Sequence, residues 1–182
     1  DHAEALGAPP LLQVPDLGPY ADEQWTPDTK AIAAMITRMD RDIGRLIELL
    51  KELGIDDRTI IFFASDNGPD AADFPVVSNS GPYRGYLGSA YEGSIRTPLL
   101  VRWPGQVPVG ASSNEIVSMV DLFPTLAKLA GAEVPGDREI DGRDQSALLL
   151  GRSTRSARES VLVFSGPTLL AVKWRRFKVF LT

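Results

Sequence analysis

The sequence predicts an α/β fold whose C-terminal end is closed by a small antiparallel sheet. Three features lead there: one long stripe of apolar residues at helical spacing, two apolar runs without alternation, and three short strand-like runs at the end of the chain. At 182 residues, the chain can hold one sizeable core or one domain with a small appendage.

Residues 1–27 are rich in Pro and Gly and lack periodicity, so they read as an irregular loop lying over something else. A helix is expected over 28–53. Thr26 suits the N-cap, Pro27 the first helical position, Asp28 the positive end of the helix dipole and Gly54 the C′ position. Ile32, Met35, Ile36, Met39, Ile43, Leu46, Ile47, Leu50 and Leu53 form its apolar stripe, with the charged residues mainly opposite.

Residues 59–65 are apolar on both faces, the pattern of a strand covered on both sides, usually in a parallel sheet. A second such run spans 98–103 and stops at Pro104-Gly105. Asp121 is the expected cap of a short helix that has Pro124 in its first turn and ends at Gly131. Residues 137–158 are polar and loop-rich, and the runs 160–164, 168–172 and 177–181 are joined by short links that suit antiparallel neighbours. The division that results is 1–145 for the main α/β part and 146–182 for the small β part. A mean sheet has about five to six strands, so two buried strands look like part of a larger domain.

Composition narrows the function classes. The formal net charge is −5 with a pI near 4.9, and no clustered basic face calls for a nucleic acid. The one basic cluster, Lys173, Arg175, Arg176 and Lys178, alternates with apolar residues as the solvated face of a strand would. No cysteine is present, which excludes disulfides, thiolate metal sites and cysteine nucleophiles within the chain. No apolar run is long enough to cross a bilayer, and the segment from Asp1 carries no signal-peptide pattern. The absence of an initial Met suggests a processed or excised piece. Trp25, Trp103 and Trp174 read as core or half-buried packing residues.

The sharpest chemical feature is Ser65-Asp66-Asn67-Gly68, where the first buried run ends. Ligands of open α/β sheets bind at the carboxyl ends of strands. A carboxylate beside an amide carbonyl offers two hard oxygen ligands suited to Ca²⁺ or Mg²⁺. The same four residues also suit a plain turn, and the tetrapeptide alone leaves both readings open.

The surrounding blocks resemble the sulfatase family of the alkaline-phosphatase superfamily. They are Met39-Asp40-Arg41-Asp42-Ile43-Gly44, Ser65-Asp66-Asn67-Gly68-Pro69, the stretch Tyr83-Arg84-Gly85-Tyr86-Leu87-Gly88 through Glu92-Gly93-Ser94-Ile95-Arg96-Thr97-Pro98, Trp103-Pro104-Gly105, Asp121-Leu122-Phe123-Pro124-Thr125-Leu126 with Ala130-Gly131, and Asp141-Gly142. They occur in the family's order and at its spacing, from about residue 8 to the end. The resemblance implies the C-terminal portion of an alkaline-phosphatase-like sandwich, a mostly parallel sheet flanked by helices. It also implies hydrolysis of sulfate esters, Ca²⁺ rather than Mg²⁺ as the metal, and a sulfated small molecule or glycan as substrate. On it, Asp66 and Asn67 are metal ligands, the missing N-terminal part of the domain is an expected partner, and the compartment is periplasmic, secreted or lysosomal.

Several family features are missing. The family's own nucleophile block, in which a formylglycine is made from Cys or Ser in a Cys/Ser-x-Pro/Ala-x-Arg motif, has no counterpart in that context here, so no catalytic residue is assigned. The N-terminal acidic metal ligands are absent as well. Leu87 stands where the family has a sulfate-binding Lys. The family's loop His is lacking from Ala8-Pro9-Pro10-Leu11, and His2 reads as a loop residue. Arg84 and Arg96 are expected in loop contacts, and Glu92 as a loop anchor rather than an acid catalyst. The chain alone is therefore expected to be inactive. The alternatives are a non-catalytic, partner-binding remnant of the family, or a phosphodiester or phosphonate hydrolase of the same superfamily.

Overall fold

A computed structural model describes residues 12–71 and 78–181; His2 and the Ala8–Leu11 segment lie outside them. The chain divides into two compact units, one holding residues up to Thr59 with Pro69–Asn79, the other Ile60–Gly68 with Ser80 onward.

The first unit is built on helix α1, Pro27–Glu52. Its start follows the expected chemistry: Thr29 N–H donates to the Thr26 hydroxyl, and Pro27 opens the helix. Its end is a Schellman turn. Gly54 has φ +66°, its N–H returns to Lys51 O at 3.0 Å, and Ile55 N–H returns to Leu50 O at 3.0 Å. The irregular segment before the helix lies against it. Arg38 pairs with Asp16 at 3.1 Å, the Tyr20 and Thr37 hydroxyls meet at 2.7 Å, and Lys30 donates to Ala21 O at 2.7 Å. Only Ala31 and Ala34 of α1 are buried. The apolar stripe formed as expected but is only partly covered: Met35, Ile36, Met39, Leu46 and Leu53 are exposed, while Ile32, Ile43, Ile47 and Leu50 are half-buried. Trp25, expected as a core or half-buried residue, is also exposed and stacks on Tyr20 at 5.8 Å.

In the second unit, β1 (Ile61–Ala64) pairs with β2 (Leu99–Arg102), and the pairing is antiparallel. The sequence pattern had pointed to parallel neighbours and cover on both faces. A parallel return needs a crossover helix, whereas the described residues of the 65–98 link hold one short helix, α2, Glu92–Ile95. β2 is the one ladder partner of β1 among the described residues, and Phe63 and Leu100, which face each other across that ladder, are exposed. The C-terminal meander is as expected. β3 (Ser160–Ser165), β4 (Thr168–Trp174) and β5 (Phe177–Phe180) form an antiparallel sheet in the order β3-β4-β5, with Val163 and Ala171 buried.

The best-buried large side chains in this unit are polar: Gln145, Thr125 and Asp121. Asp121 precedes α3 (Leu122–Leu129), but its carboxylate does not cap that helix. It accepts instead from Ser118 N–H at 2.9 Å, Arg143 N–H at 2.7 Å, Gln145 Nε2 at 3.3 Å and the Arg158 guanidinium at 2.7–3.0 Å. Thr125 donates to Asp121 O at 2.6 Å and accepts from Gln145 N–H at 2.9 Å. The Gln145 carbonyl in turn accepts from the Ser156 hydroxyl and Ala157 N–H at 3.0 and 3.1 Å. Each buried polar atom thus has a partner, as burial demands. α4 (Ser146–Leu149) follows directly from this network.

Burial pushes the Asp121 carboxyl up. The hydrogen bonds from Arg158, Ser118 and Arg143, with the Arg158 charge, outweigh it and hold the group below its ordinary value of 3.8. A carboxyl depressed in the folded state adds stability that is complete above the unfolded value and lost as pH falls toward the folded one. Urea midpoints should therefore hold from pH 7 to about 5 and drop steeply below 3.8, with a shallower acid slope in Asp121→Asn. Arg158→Met, which strands the buried carboxylate, should lower unfolding free energy at pH 7 by about 3–5 kcal/mol in urea titration.

Candidate metal turn and its supports

β1 ends by delivering Ser65, Asp66 and Asn67 into a tight turn. The Ser65 hydroxyl donates to Asn67 O at 3.0 Å, and Asn67 N–H donates to Asp66 Oδ1 at 3.0 Å. Asn67 Nδ2 donates to Gly68 O at 2.8 Å. This bond engages the Asn67 side-chain nitrogen rather than its carbonyl oxygen. Asp66 is exposed, Asn67 is half-buried, and both line a cleft of about 2220 Å³ in the second unit.

The turn is fixed from outside by backbone contacts. Gly68 N–H donates to Ser94 O at 2.7 Å, and the Thr97 hydroxyl donates to Ser65 O at 3.0 Å. The approach is so close that a Cβ on Gly68 would fall 1.8 Å from Gly93 O. A Cβ on Gly93 would fall 2.0 Å from Gly85 O, and Gly93 N–H donates to Arg84 O at 2.8 Å. Three backbone segments stack here because all three positions lack side chains. Ser94 is buried and joins the stack through its backbone, its Cα lying 2.9 Å from where a Gly68 Cβ would fall.

The other singled-out residues take loop roles, as expected. The Arg84 guanidinium carbon lies 4.1 Å from the Tyr91 ring centroid, and that of Arg96 lies 4.7 Å from the Tyr83 ring. Arg96 also donates to Asn114 Oδ1 at 2.6 Å. Leu87 is exposed. Glu92 is an anchor: Lys173 reaches its Oε2 at 2.5 Å and Lys178 its Oε1 at 3.2 Å. Burial pushes the Glu92 carboxyl up, but the hydrogen bonds and charges of the two lysines hold it below its ordinary 4.5.

Two expectations are corrected by these contacts. Lys173 and Lys178 are not a solvated face. They are respectively 18% and 11% exposed and are spent on Glu92, because their strand face turns toward α2. Arg175 and Arg176 alone keep the expected exposure, in the β4–β5 turn. Trp174 is exposed rather than core or half-buried, and stacks on Phe177 at 6.2 Å. Sequence reasoning missed both charge networks. Asp121 looked sufficiently explained as a helix cap, and nothing in spacing linked Glu92 to lysines more than eighty residues away.

The donor types at Asp66 and Asn67 fit a hard cation, one carboxylate and one amide carbonyl. The number does not complete a site, since Ca²⁺ takes roughly six to eight oxygens and no group of three acidic, His or Cys residues gathers among the described residues.

Residues 10–132 match the Sulfatase family model, and the chain belongs to the sulfatase family. It is 40% identical over 144 residues to a steryl-sulfatase of Mus musculus, covering 76% of this chain and 23% of that protein. It is 32% identical over 178 residues to an N-acetylgalactosamine-6-sulfatase of Canis lupus familiaris, covering 97% of this chain and 31% of that protein. Among solved structures, the PsFucS1 sulfatase from Pseudoalteromonas sp. matches with a TM-score of 0.70 at 34% identity, over 84% of this chain and 30% of that one. Ps i-CgsB matches with a TM-score of 0.74 at 30% identity, over 87% and 35%. The fold is therefore a part of the alkaline-phosphatase-like α/β fold, and the chain spans about a quarter to a third of the length of these relatives. No described helix is long and apolar enough to cross a membrane.

Gly68→Ala should destabilise the protein by about 1–3 kcal/mol or more, because the added methyl has no room. Gly136→Ala, where an added Cβ meets nothing within 4 Å, should be neutral or stabilising by up to about 1 kcal/mol. Paired denaturant titrations would separate the two.

Proposed function

We propose that this chain is the metal-turn portion of a sulfate ester hydrolase, with Asp66 and Asn67 as two of the oxygen ligands of a Ca²⁺ ion. The observation that carries this reading is the Asp66–Asn67 turn, placed at the carboxyl end of a strand, open to a cleft, and offering one carboxylate and one carbonyl oxygen. Bound calcium would supply positive charge to neutralise a sulfate group. Asp66 and Asn67 would hold the ion at the cleft, and the glycine stack behind them would keep the two oxygens facing the same way. No residue of this chain provides the nucleophile, and no proton transfer is assigned to any of them. The chain's one Ser-x-Pro-x-Arg string, Ser80-Gly81-Pro82-Tyr83-Arg84, runs into the Arg84-Gly85 block, and its Ser80 hydroxyl donates to Tyr83 O at 2.7 Å, so it is not read as the nucleophile.

On the same reading, the remaining ligands and the nucleophile come from the rest of a sulfatase domain. The exposed part of the α1 stripe, and separately Phe63 and Leu100 of the β1–β2 pair, are the kind of surface that such a portion would cover. Such an enzyme would act on a sulfated small molecule or glycan, in a periplasmic, secreted or lysosomal setting. A second reading, a non-catalytic remnant that binds a partner, is favoured by one substitution: Leu87 stands where the family's sulfate-binding Lys would be, and a leucine neutralises no charge.

The isolated chain should show no turnover of 4-methylumbelliferyl sulfate. By calorimetry it should bind Ca²⁺ with a dissociation constant of about 10⁻³ M or weaker, and Asp66→Ala should weaken this further. Tight binding indifferent to Asp66→Ala would remove the assigned site, and turnover by the isolated chain would remove the view that the nucleophile lies elsewhere.

A further inference from the structure

We propose that Glu92 is a positioning residue for the Asp66–Asn67 turn, clamped by Lys173 and Lys178 so that the C-terminal hairpin sets where the metal ligands stand. The inference rests on the reading of Asp66 and Asn67 as ligands, but the mechanical link it describes can be measured without metal.

The clamp begins with an awkward pairing. Lys173 and Lys178 are directly opposed on β4 and β5. Like charges in that register repel, and both ammonium groups are largely shielded from water. The Glu92 carboxylate relieves the repulsion, giving one oxygen to each lysine. Lys178 also donates to Ala90 O, which ties down the residues leading into α2. Both carboxylate oxygens are thus occupied by cations of the sheet, and Glu92 acts on the turn only through its own backbone.

That backbone leads straight to the turn. Glu92 is the first residue of α2, and the next two, Gly93 and Ser94, are buried. Gly93 O abuts Gly68, and Ser94 O accepts from Gly68 N–H at 2.7 Å. Gly68 O in turn holds the Asn67 side-chain amide at 2.8 Å, which decides where the Asn67 carbonyl oxygen points. The chain of contacts is lysine pair, Glu92, Gly93–Ser94, Gly68, Asn67. Among the described residues, apart from the Thr97 bond to Ser65 O, the turn's other hydrogen bonds are internal to it and cannot fix it relative to the cleft.

The test compares Glu92→Gln and Lys173→Met with Lys173→Arg, which keeps a cation on Glu92. The first readout is hydrogen exchange. Gly68 N–H should exchange about ten-fold faster or more in Glu92→Gln and Lys173→Met, with amides of α3 unchanged, because local opening is separable from global unfolding. Lys173→Arg should restore protection. The second readout is Ca²⁺ affinity by calorimetry, expected to fall about ten- to hundred-fold, as for residues that orient metal ligands. Unchanged Gly68 protection in both disruptive variants, or loss of protection in step with α3, would overturn the proposal. If the parent chain and Asp66→Ala both ignore Ca²⁺, the metal reading fails and the exchange data still decide the clamp. Should Glu92→Gln not fold, the Lys173→Met and Lys173→Arg pair carries the comparison.

Discussion

The second unit is organised by a carboxylate taken entirely out of water. Asp121 is 0% exposed, and an unpaired charge there would be prohibitive. It is tolerable because Arg158 meets it through two nitrogens while the Ser118 and Arg143 N–H groups and Gln145 take up the remaining lone pairs. Replacing such a pair by well-packed apolar residues can be neutral, so the pair is no simple source of stability. Its effect is selective: few chain arrangements satisfy every donor and acceptor at once. The turn before α3, the loop at 141–145 and the entry to β3 are brought into one arrangement by that demand.

The same logic operates at the metal turn with backbone in place of side chains. Gly68, Gly93 and the Arg84–Gly85 carbonyls approach closer than any Cβ permits. Glycine is needed at Gly68 and Gly93 by the space available rather than by a positive φ, unlike Gly54 or Gly131, whose left-handed conformations end helices. The two solutions join through Glu92. One of its ends is held by sheet lysines, and the other leads into the glycine stack.

Much of the fold was legible in the sequence. α1 starts and stops where Thr26, Pro27 and Gly54 place it, because caps are local chemistry. The meander follows from strand patterning and short links, and the Arg84, Arg96 and Glu92 contacts are of the expected kind. The pairing of β1 with β2 was not legible. A run of apolar residues states that a strand wants cover but not which strand lies beside it or in which direction. Phe63, Trp25 and Trp174 show the same limit: hydrophobicity indicates a preference for burial, and burial itself depends on what is available to cover them.

The sequence by itself determined the ends of α1, the strand positions and the pair of oxygen-bearing residues at the end of β1, since each depends on residue types close together in the chain, and it determined the family through blocks in a fixed order along it. Only the tertiary structure decided that Asp121 serves Arg158 rather than its own helix, and that Lys173 and Lys178 turn to Glu92 rather than to water. Both are charge pairings across 37 to 86 residues of chain. Electrostatic attraction depends on distance in space and on local solvation, neither of which is encoded in spacing along the chain.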